Sequence, residues 1–141
     1  MLHQIVPFVM KHWVLIIAFI AVAIVIAIEE IRSQNAGGQR VTSMMATRFI
    51  NHEDAVVVDI RDISVFREGH IVNAKNFPVA DLDRQQEKLM AYRDRILILV
   101  DANGLKVLPF AVKLKAAGLT KVVILKGGME SWKADNMPVV K

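Results

Sequence analysis

The hydrophobic pattern of this chain begins with sixteen uninterrupted apolar residues, Trp13 to Ile28. A core helix of a small domain would alternate this apolar character with a polar face, and the run has none, so it predicts a membrane-spanning helix. Eleven of its residues are Leu, Ile, Phe or Val, each contributing about −0.3 to −0.6 kcal/mol toward insertion near a helix centre. Sixteen residues rise only about 24 Å against a hydrocarbon core of about 30 Å. The span is therefore expected over about Phe8 to Ile28 within an N-terminal segment 1–32, with Pro7 in the first turn and Lys11 snorkelling to the headgroups. Trp13 serves as an interfacial anchor, and Glu29, Glu30 and Arg32 close the far end. A cleaved signal peptide is the alternative, but no small-x-small pair follows the run closely. One basic residue (Lys11) precedes the span and three (Arg32, Arg40, Arg48) follow it. This bias predicts a single-pass membrane protein with the following domain in the cytoplasm.

After the span the pattern changes twice. Residues 33–39, Ser-Gln-Asn-Ala-Gly-Gly-Gln, have no periodicity and read as a short flexible linker. From Arg40 to Lys141, buried-strand runs alternate with amphipathic helices. Thr42 is placed to cap a helix running to about Ile50, followed by a continuous apolar strand over Ala55–Ile60. Further strands are expected at 95–100 and 121–125. A helix over 79–93 would share one face among Val79, Leu82, Leu89 and Tyr92, and a helix over 107–117 would bury Phe110, Ala111, Leu114 and Ala117 before Gly118 ends it. Continuous apolar strands separated by helices predict an α/β domain, a small parallel sheet with helices on both faces. Its site belongs at the carboxyl ends of the strands, which singles out Asp59–Asp62 and Asp101–Lys106.

Composition sharpens this division. Of 141 residues 54% are apolar, and without the Trp13–Ile28 run the remainder falls to roughly 48%, ordinary for a globular domain. The hundred or so residues after the linker suffice for one core. No cysteine is present, which excludes disulfide scaffolds, thiolate metal sites and cysteine nucleophiles. The histidines His3, His12 and His52 lack partners at ligand spacing, so neither a metal nor another cofactor is expected. From Lys106 to Lys141 there are seven lysines and two acids. Such lysines ordinarily cover a solvated face; beside an anionic leaflet they would also turn that end toward headgroups. No aromatic and arginine platform accompanies them, so nucleic acid is not an expected partner.

Three segments carry a family resemblance. Val57-Val-Asp-Ile-Arg61 with Phe66-Arg-Glu-Gly-His-Ile71 and Ala74-Lys-Asn-Phe-Pro78 is similar to the strand, turn and "GHI…A…N…P" signature of the rhodanese-like domain. Val122-Val-Ile-Leu-Lys-Gly-Gly128, followed by Trp132 and Pro138, resembles the closing pattern of that family. The resemblance covers 40–141, and with the N-terminal anchor the chain looks like the small membrane-anchored rhodanese-domain proteins of bacteria. It implies the rhodanese-like fold and sulfur transfer. In the family a cysteine at the end of the central strand forms a persulfide, cradled by the N–H groups of a loop shaped C-x-x-G-x-R.

Laid on that pattern, Asp101 stands at the cysteine position, Gly104 on the glycine and Lys106 on the arginine, with Ala102, Asn103 and Leu105 completing the loop. A carboxylate does not accept sulfane sulfur as a persulfide, so the loop reads as vestigial and no catalytic residue is assigned. Asp101 is expected to cap the following helix, to pair with Lys106, or to present the loop to a neutral or cationic group on another protein. Asp59 with Arg61 is expected as a hydrogen-bonded corner, His70 as a turn residue bonded to backbone, Gly127-Gly128 as a tight turn into the last helix, and Trp132 as core. The functional expectation is a catalytically inactive module in contact with the lipid bilayer that binds membrane or cytoplasmic proteins, with no small-molecule substrate. Two alternatives stand beside it. One is a family enzyme with altered chemistry using Lys106 or His70. The other places function in the transmembrane helix itself, through the small surface of Ala18, Ala21, Ala23 and Ala27.

Overall fold

The computed structural model describes residues 12–141 and divides between Asn35 and Ala36 into two units. The first is helix α1, Trp13–Ala36. Its stretch Trp13–Arg32 has a mean hydropathy of 2.8 with none of it buried, and twenty residues rise about 30 Å, the thickness of a bilayer core. The expected start of the span near Phe8, with Pro7 and Lys11, lies outside the described residues, as does His3. The linker expectation needs correction at both ends. Residues 33–36 form the last turn of α1, and Gln39 already pairs in the sheet, which leaves only Gly37 and Gly38 between the two elements. A tract without hydrophobic periodicity can still continue a helix, since its solvated face needs no apolar partner.

The second unit begins with β1 (Gln39–Val41), α2 (Ser43–His52) and β2 (Val56–Asp59). Helix α3 (Ile63–Glu68) and the short strands β3 (His70–Ile71) and β4 (Lys75–Asn76) follow. A 3-10 turn, Val79–Asp81, leads into α4 (Leu82–Met90). The chain closes through β5 (Leu97–Val100), α5 (Val107–Ala116), β6 (Val122–Leu125), α6 (Gly128–Ala134) and β7 (Val139–Val140). Five strands form a parallel sheet in the order β1-β6-β5-β2-β4, and β3 pairs antiparallel with β7 in a separate ribbon.

Strand periodicity distributes the core. Val56 and Val58 of β2 and Leu97 and Leu99 of β5 face a cluster with Leu82, Leu89, Phe110, Ala111 and Leu114 of α4 and α5. Their neighbours Val57, Ile98 and Val100 face Ala46, Met129 and Trp132 of α2 and α6. The sheet is thus covered on both sides, which explains the continuous apolar strands. The Thr42 side chain caps α2, accepting from the Met45 N–H at 3.3 Å. The 79–93 helix is shorter than its periodicity suggests: Pro78 lies just before a 3-10 turn, and Val79 projects to solvent at 54% exposure. Pro109 is tolerated in α5 because it occupies the first turn, where an N–H has no intrahelical partner.

Leu99 is fully buried on the central strand. Leu99→Ala is expected to destabilise the domain by about 3 kcal/mol, and Leu105→Ala, at an exposed loop position, by less than about 0.5 kcal/mol. Denaturant titration of the detergent-solubilised chain, followed by tryptophan fluorescence, checks both.

Candidate functional site

The loop 101–106 leaves the carboxyl end of β5 and leads into α5. Asp101 is buried, at 4% exposure, so its carboxylate must find partners within the protein. One oxygen, Oδ1, accepts the Gly104 N–H at 2.5 Å, and the other, Oδ2, accepts the Lys106 N–H at 2.8 Å. The Leu105 N–H between them goes to Asn103 Oδ1 at 3.2 Å. All three consecutive amides of the loop are therefore engaged by side-chain oxygens of the loop itself. The carboxylate also lies at the N-terminus of α5, where the helix dipole favours negative charge. Asp101 thus closes its own loop and does not cap α5, whose N-cap is Lys106 with no side-chain cap bond; the expected ion pair with the Lys106 side chain is not among the salt bridges of the described residues.

The loop is clasped from outside by contacts that reach far along the sequence. The N–H groups of Met129 and Glu130, in the first turn of α6, donate to the carbonyls of Asp101 and Ala102 at 2.9 and 3.0 Å. Arg40 of β1 donates from Nη1 to the Gly104 carbonyl at 3.1 Å. Gly128 allows the approach of α6: it has φ +56°, and a Cβ there would lie 2.5 Å from the Asp101 carbonyl oxygen and 2.7 Å from the Asn103 nitrogen. The Gly127-Gly128 pair is a turn, as expected, and is also the seat of the loop. Nothing local in the sequence marks Arg40 or the α6 amides as loop partners, because their role depends on sheet order.

Asp59 ends β2 beside β5, in register with Val100. Arg61 grips its carboxylate, with Nε at 2.9 Å from Oδ1 and Nη2 at 2.6 Å from Oδ2, and Nη2 also donates to the Gly69 carbonyl at 2.9 Å. Both side chains are almost fully buried. The corner is completed by Asn76, whose Nδ2 donates to the carbonyls of Asp59 and Arg61. His70 stacks on Phe66 with ring centroids 3.8 Å apart, and its Nδ1 donates to the Phe66 carbonyl at 2.9 Å. It occupies β3, while Trp132 is buried and donates from Nε1 to the Pro138 carbonyl.

Between these two strand ends lies a half-open cleft of about 480 Å³, lined by Ile60, Arg61, Asp62, Val65, Val79, Asp101, Ala102 and Lys106. His70 does not line it. Among the described residues no group of three His, Asp or Glu is placed to hold a metal ion. Within the cleft the Arg61 charge is paired with Asp59 and the Asp101 carboxylate is hydrogen-bonded to loop amides, and the exposed surface is largely aliphatic with Lys106 and Asp62 at its margin.

Removing the Asp101 carboxylate would orphan two loop amides. Asp101→Ala is expected to cost about 2 kcal/mol and to raise amide hydrogen exchange selectively at Gly104 and Lys106. Arg61→Ala, which strands the buried Asp59 charge, is expected to cost about 3–5 kcal/mol. Chemical denaturation ranks the two.

Comparison with known proteins places this geometry. The family model described as the Rhodanese-like domain matches residues 45–135. The uncharacterized protein YibN of Escherichia coli (strain K12) is 34% identical over 141 residues, covering 99% of each chain. The thiosulfate sulfurtransferase GlpE of Coxiella burnetii is 29% identical over 96 residues, covering 68% of this chain and 88% of the relative. Among solved structures, the rhodanese-related protein of Thermoplasma volcanium superposes with a TM-score of 0.61 at 28% identity, over 72% of this chain and 97% of the other. From the family match, the full-length relative and the shared sheet, this chain belongs to the rhodanese-like domain family, which is related to sulfurtransferases.

Proposed function

We propose that this protein is a rhodanese-like module anchored by α1 in the bacterial inner membrane, with its domain in the cytoplasm, that binds other proteins and does not carry sulfur. The observation that supports this most directly is the engagement of the loop: the Asp101 carboxylate accepts the Gly104 and Lys106 N–H groups that would otherwise face a bound anion. A thiosulfate ion entering the cleft meets a carboxylate of like charge with the amides already taken. The chain contains no thiol to act as carrier in its place. What the site still presents is surface. Leu105 is 73% exposed at the tip of the loop, with Ile63, Val65 and Val79 exposed around the cleft, and apolar groups of this kind suit a partner side chain.

A second reading, a family enzyme with altered chemistry, is favoured by the cleft itself, whose volume of about 480 Å³ falls within the range of small-molecule sites. Lys106 and Asp62 would be its mobile charges, since Arg61 and Asp101 are committed to structural bonds.

Purified full-length chain is expected to form no thiocyanate from thiosulfate and cyanide above the protein-free blank; turnover that scales with protein concentration would overturn the reading. Leu105→Asp is expected to reduce crosslinked partner complexes in native membranes by about tenfold, as loss of an apolar contact worth roughly 1.4 kcal/mol or more would do. Unchanged crosslinking, with the fold intact by circular dichroism, would exclude the loop as the partner surface.

A further inference from the structure

The loop 101–106 leaves the cleft beside it with an unbalanced charge. Asp101 lines the cleft at 4% exposure, and its two carboxylate oxygens accept only backbone N–H groups. Amides stabilise a buried carboxylate through their dipoles and leave its unit charge in place. Arg61 lines the same cleft and is spent on Asp59. Asp62 stands at the margin, just before α3; its side chain makes no cap bond to that helix and is in no salt bridge among the described residues. Lys106 is exposed at the margin and is likewise outside every such salt bridge. Three carboxylates (Asp59, Asp62, Asp101) therefore meet two cations (Arg61, Lys106), which leaves one negative charge at the cleft.

The walls around these charges are aliphatic. Ile60, Val65, Val79 and Ala102 line the cleft, whose volume of about 480 Å³ admits a large side chain. A group that fits must lay an apolar stem along these walls and bring a positive head to Asp101. An anion is opposed by Asp101 and finds the loop amides taken. A metal ion lacks ligands, since among the described residues no group of three His, Asp or Glu is placed to hold one. A purely apolar side chain would fill the cleft and dry it, leaving the Asp101 charge without a partner in a less polar surrounding. The small exposed area of Asp101 suits a compact ammonium better than a planar guanidinium fork. A lysine meets every condition, because its four-carbon stem covers apolar surface while its head carries the charge.

We propose that the cleft receives a lysine side chain of a protein partner, its ammonium meeting Asp101 within the cleft and Asp62 at the margin, its stem on Ile60, Val65 and Val79. A lysine in this cleft rests on the partner-binding reading above and names the group that enters. Leu105, 73% exposed on the same loop, then meets the partner's surface around that lysine. Lys106, the one like charge, stands at the margin on a flexible stem and weakens the contact without blocking it. The family resemblance implies an anion at this strand end, and the aspartate at position 101 reverses the sign of the ligand.

The test titrates the isotope-labelled full chain, in micelles of an uncharged detergent, with the peptide acetyl-Ala-Leu-Lys-Leu-Ala-amide and follows its backbone amides by NMR. The amides of Gly104 and Lys106, which donate to Asp101, are expected to shift. The same peptide with Nε-acetyllysine keeps the stem and loses the charge, and is expected to bind about tenfold more weakly. Asp62→Asn is expected to weaken the lysine peptide and Lys106→Gln to strengthen it, each severalfold; both side chains are exposed, so neither change threatens the fold. Asp101→Asn is expected to abolish the preference for lysine over acetyllysine, with hydrogen exchange at Gly104 and Lys106 reporting whether the loop stays closed. Equal binding of the two peptides, or shifts that miss Gly104 and Lys106, overturns the proposal, as does the absence of shifts up to the solubility limit of the lysine peptide. Preference for a glutamate peptide identifies an acidic partner and overturns it as well. n-Butylammonium binding as tightly as the lysine peptide identifies a small-amine site and overturns the protein source. If the lysine peptide fails while crosslinked complexes in native membranes still depend on Leu105, the lysine falls alone; thiocyanate turnover defeats the binding-module reading and the lysine together.

Discussion

Strand β5 has no side chain in contact with water. Leu97, Ile98, Leu99 and Val100 are at most 1% exposed, paired with β2 on one side and β6 on the other. A strand buried on both faces between two neighbours has no freedom to slide, since a shift by one residue would send each side chain to the wrong layer. Asp101 follows directly, so its position is set by the packing of four hydrophobic residues. Because that position is buried, its carboxylate draws the loop amides onto itself, and the loop in turn is where α6 and Arg40 find their hydrogen-bond partners. The arrangement of the whole carboxyl edge descends from the immobility of β5.

Two buried carboxylates end adjacent strands and are satisfied by different means. Asp59 is held by a guanidinium that also reaches the Gly69 carbonyl, tying β2 to the turn after α3. Asp101 is held by backbone amides, which bring dipoles and no compensating unit charge. Both solutions avoid leaving a buried charge unpaired. Their chemical consequences differ. The Arg61 pair is framework, whereas the Asp101 pairing uses up the anion-binding capacity of the loop. What remains open to a partner is the aliphatic rim and Lys106, a surface better suited to contact than to small-anion chemistry.

The elements most legible in the sequence are those whose pattern is dictated by complete burial or by complete absence of polar groups. The strands at 56–59, 97–100 and 122–125, the helix ending before Gly118 and the Thr42 cap all follow from local rules. The short strands β1, β3, β4 and β7 were not legible, because two or three residues carry no period and acquire strand geometry only from a neighbour. The linker is shorter than its composition suggests for a related reason: polar residues at the end of a long helix extend it by backbone hydrogen bonding alone. At the site, the substitution at position 101 and the six-residue loop were readable from spacing, while the clasp by Met129, Glu130 and Arg40 was not, since it joins segments that are neighbours only in the folded sheet.

The sequence by itself determined that one sixteen-residue run is apolar throughout, that an α/β domain follows it, that the domain carries the rhodanese-like signature, and that no thiol occupies its nucleophile position. These are properties of residue identity and local period, which need no knowledge of neighbours. Only the tertiary structure decided how the Asp101 carboxylate is used and which charges share the cleft with it. Hydrogen bonds and electrostatic fields act over a few ångströms in space, and it is the parallel winding of the strands that brings residues 101, 104 and 106 against 128–130, and residues 62 and 101 to one cleft.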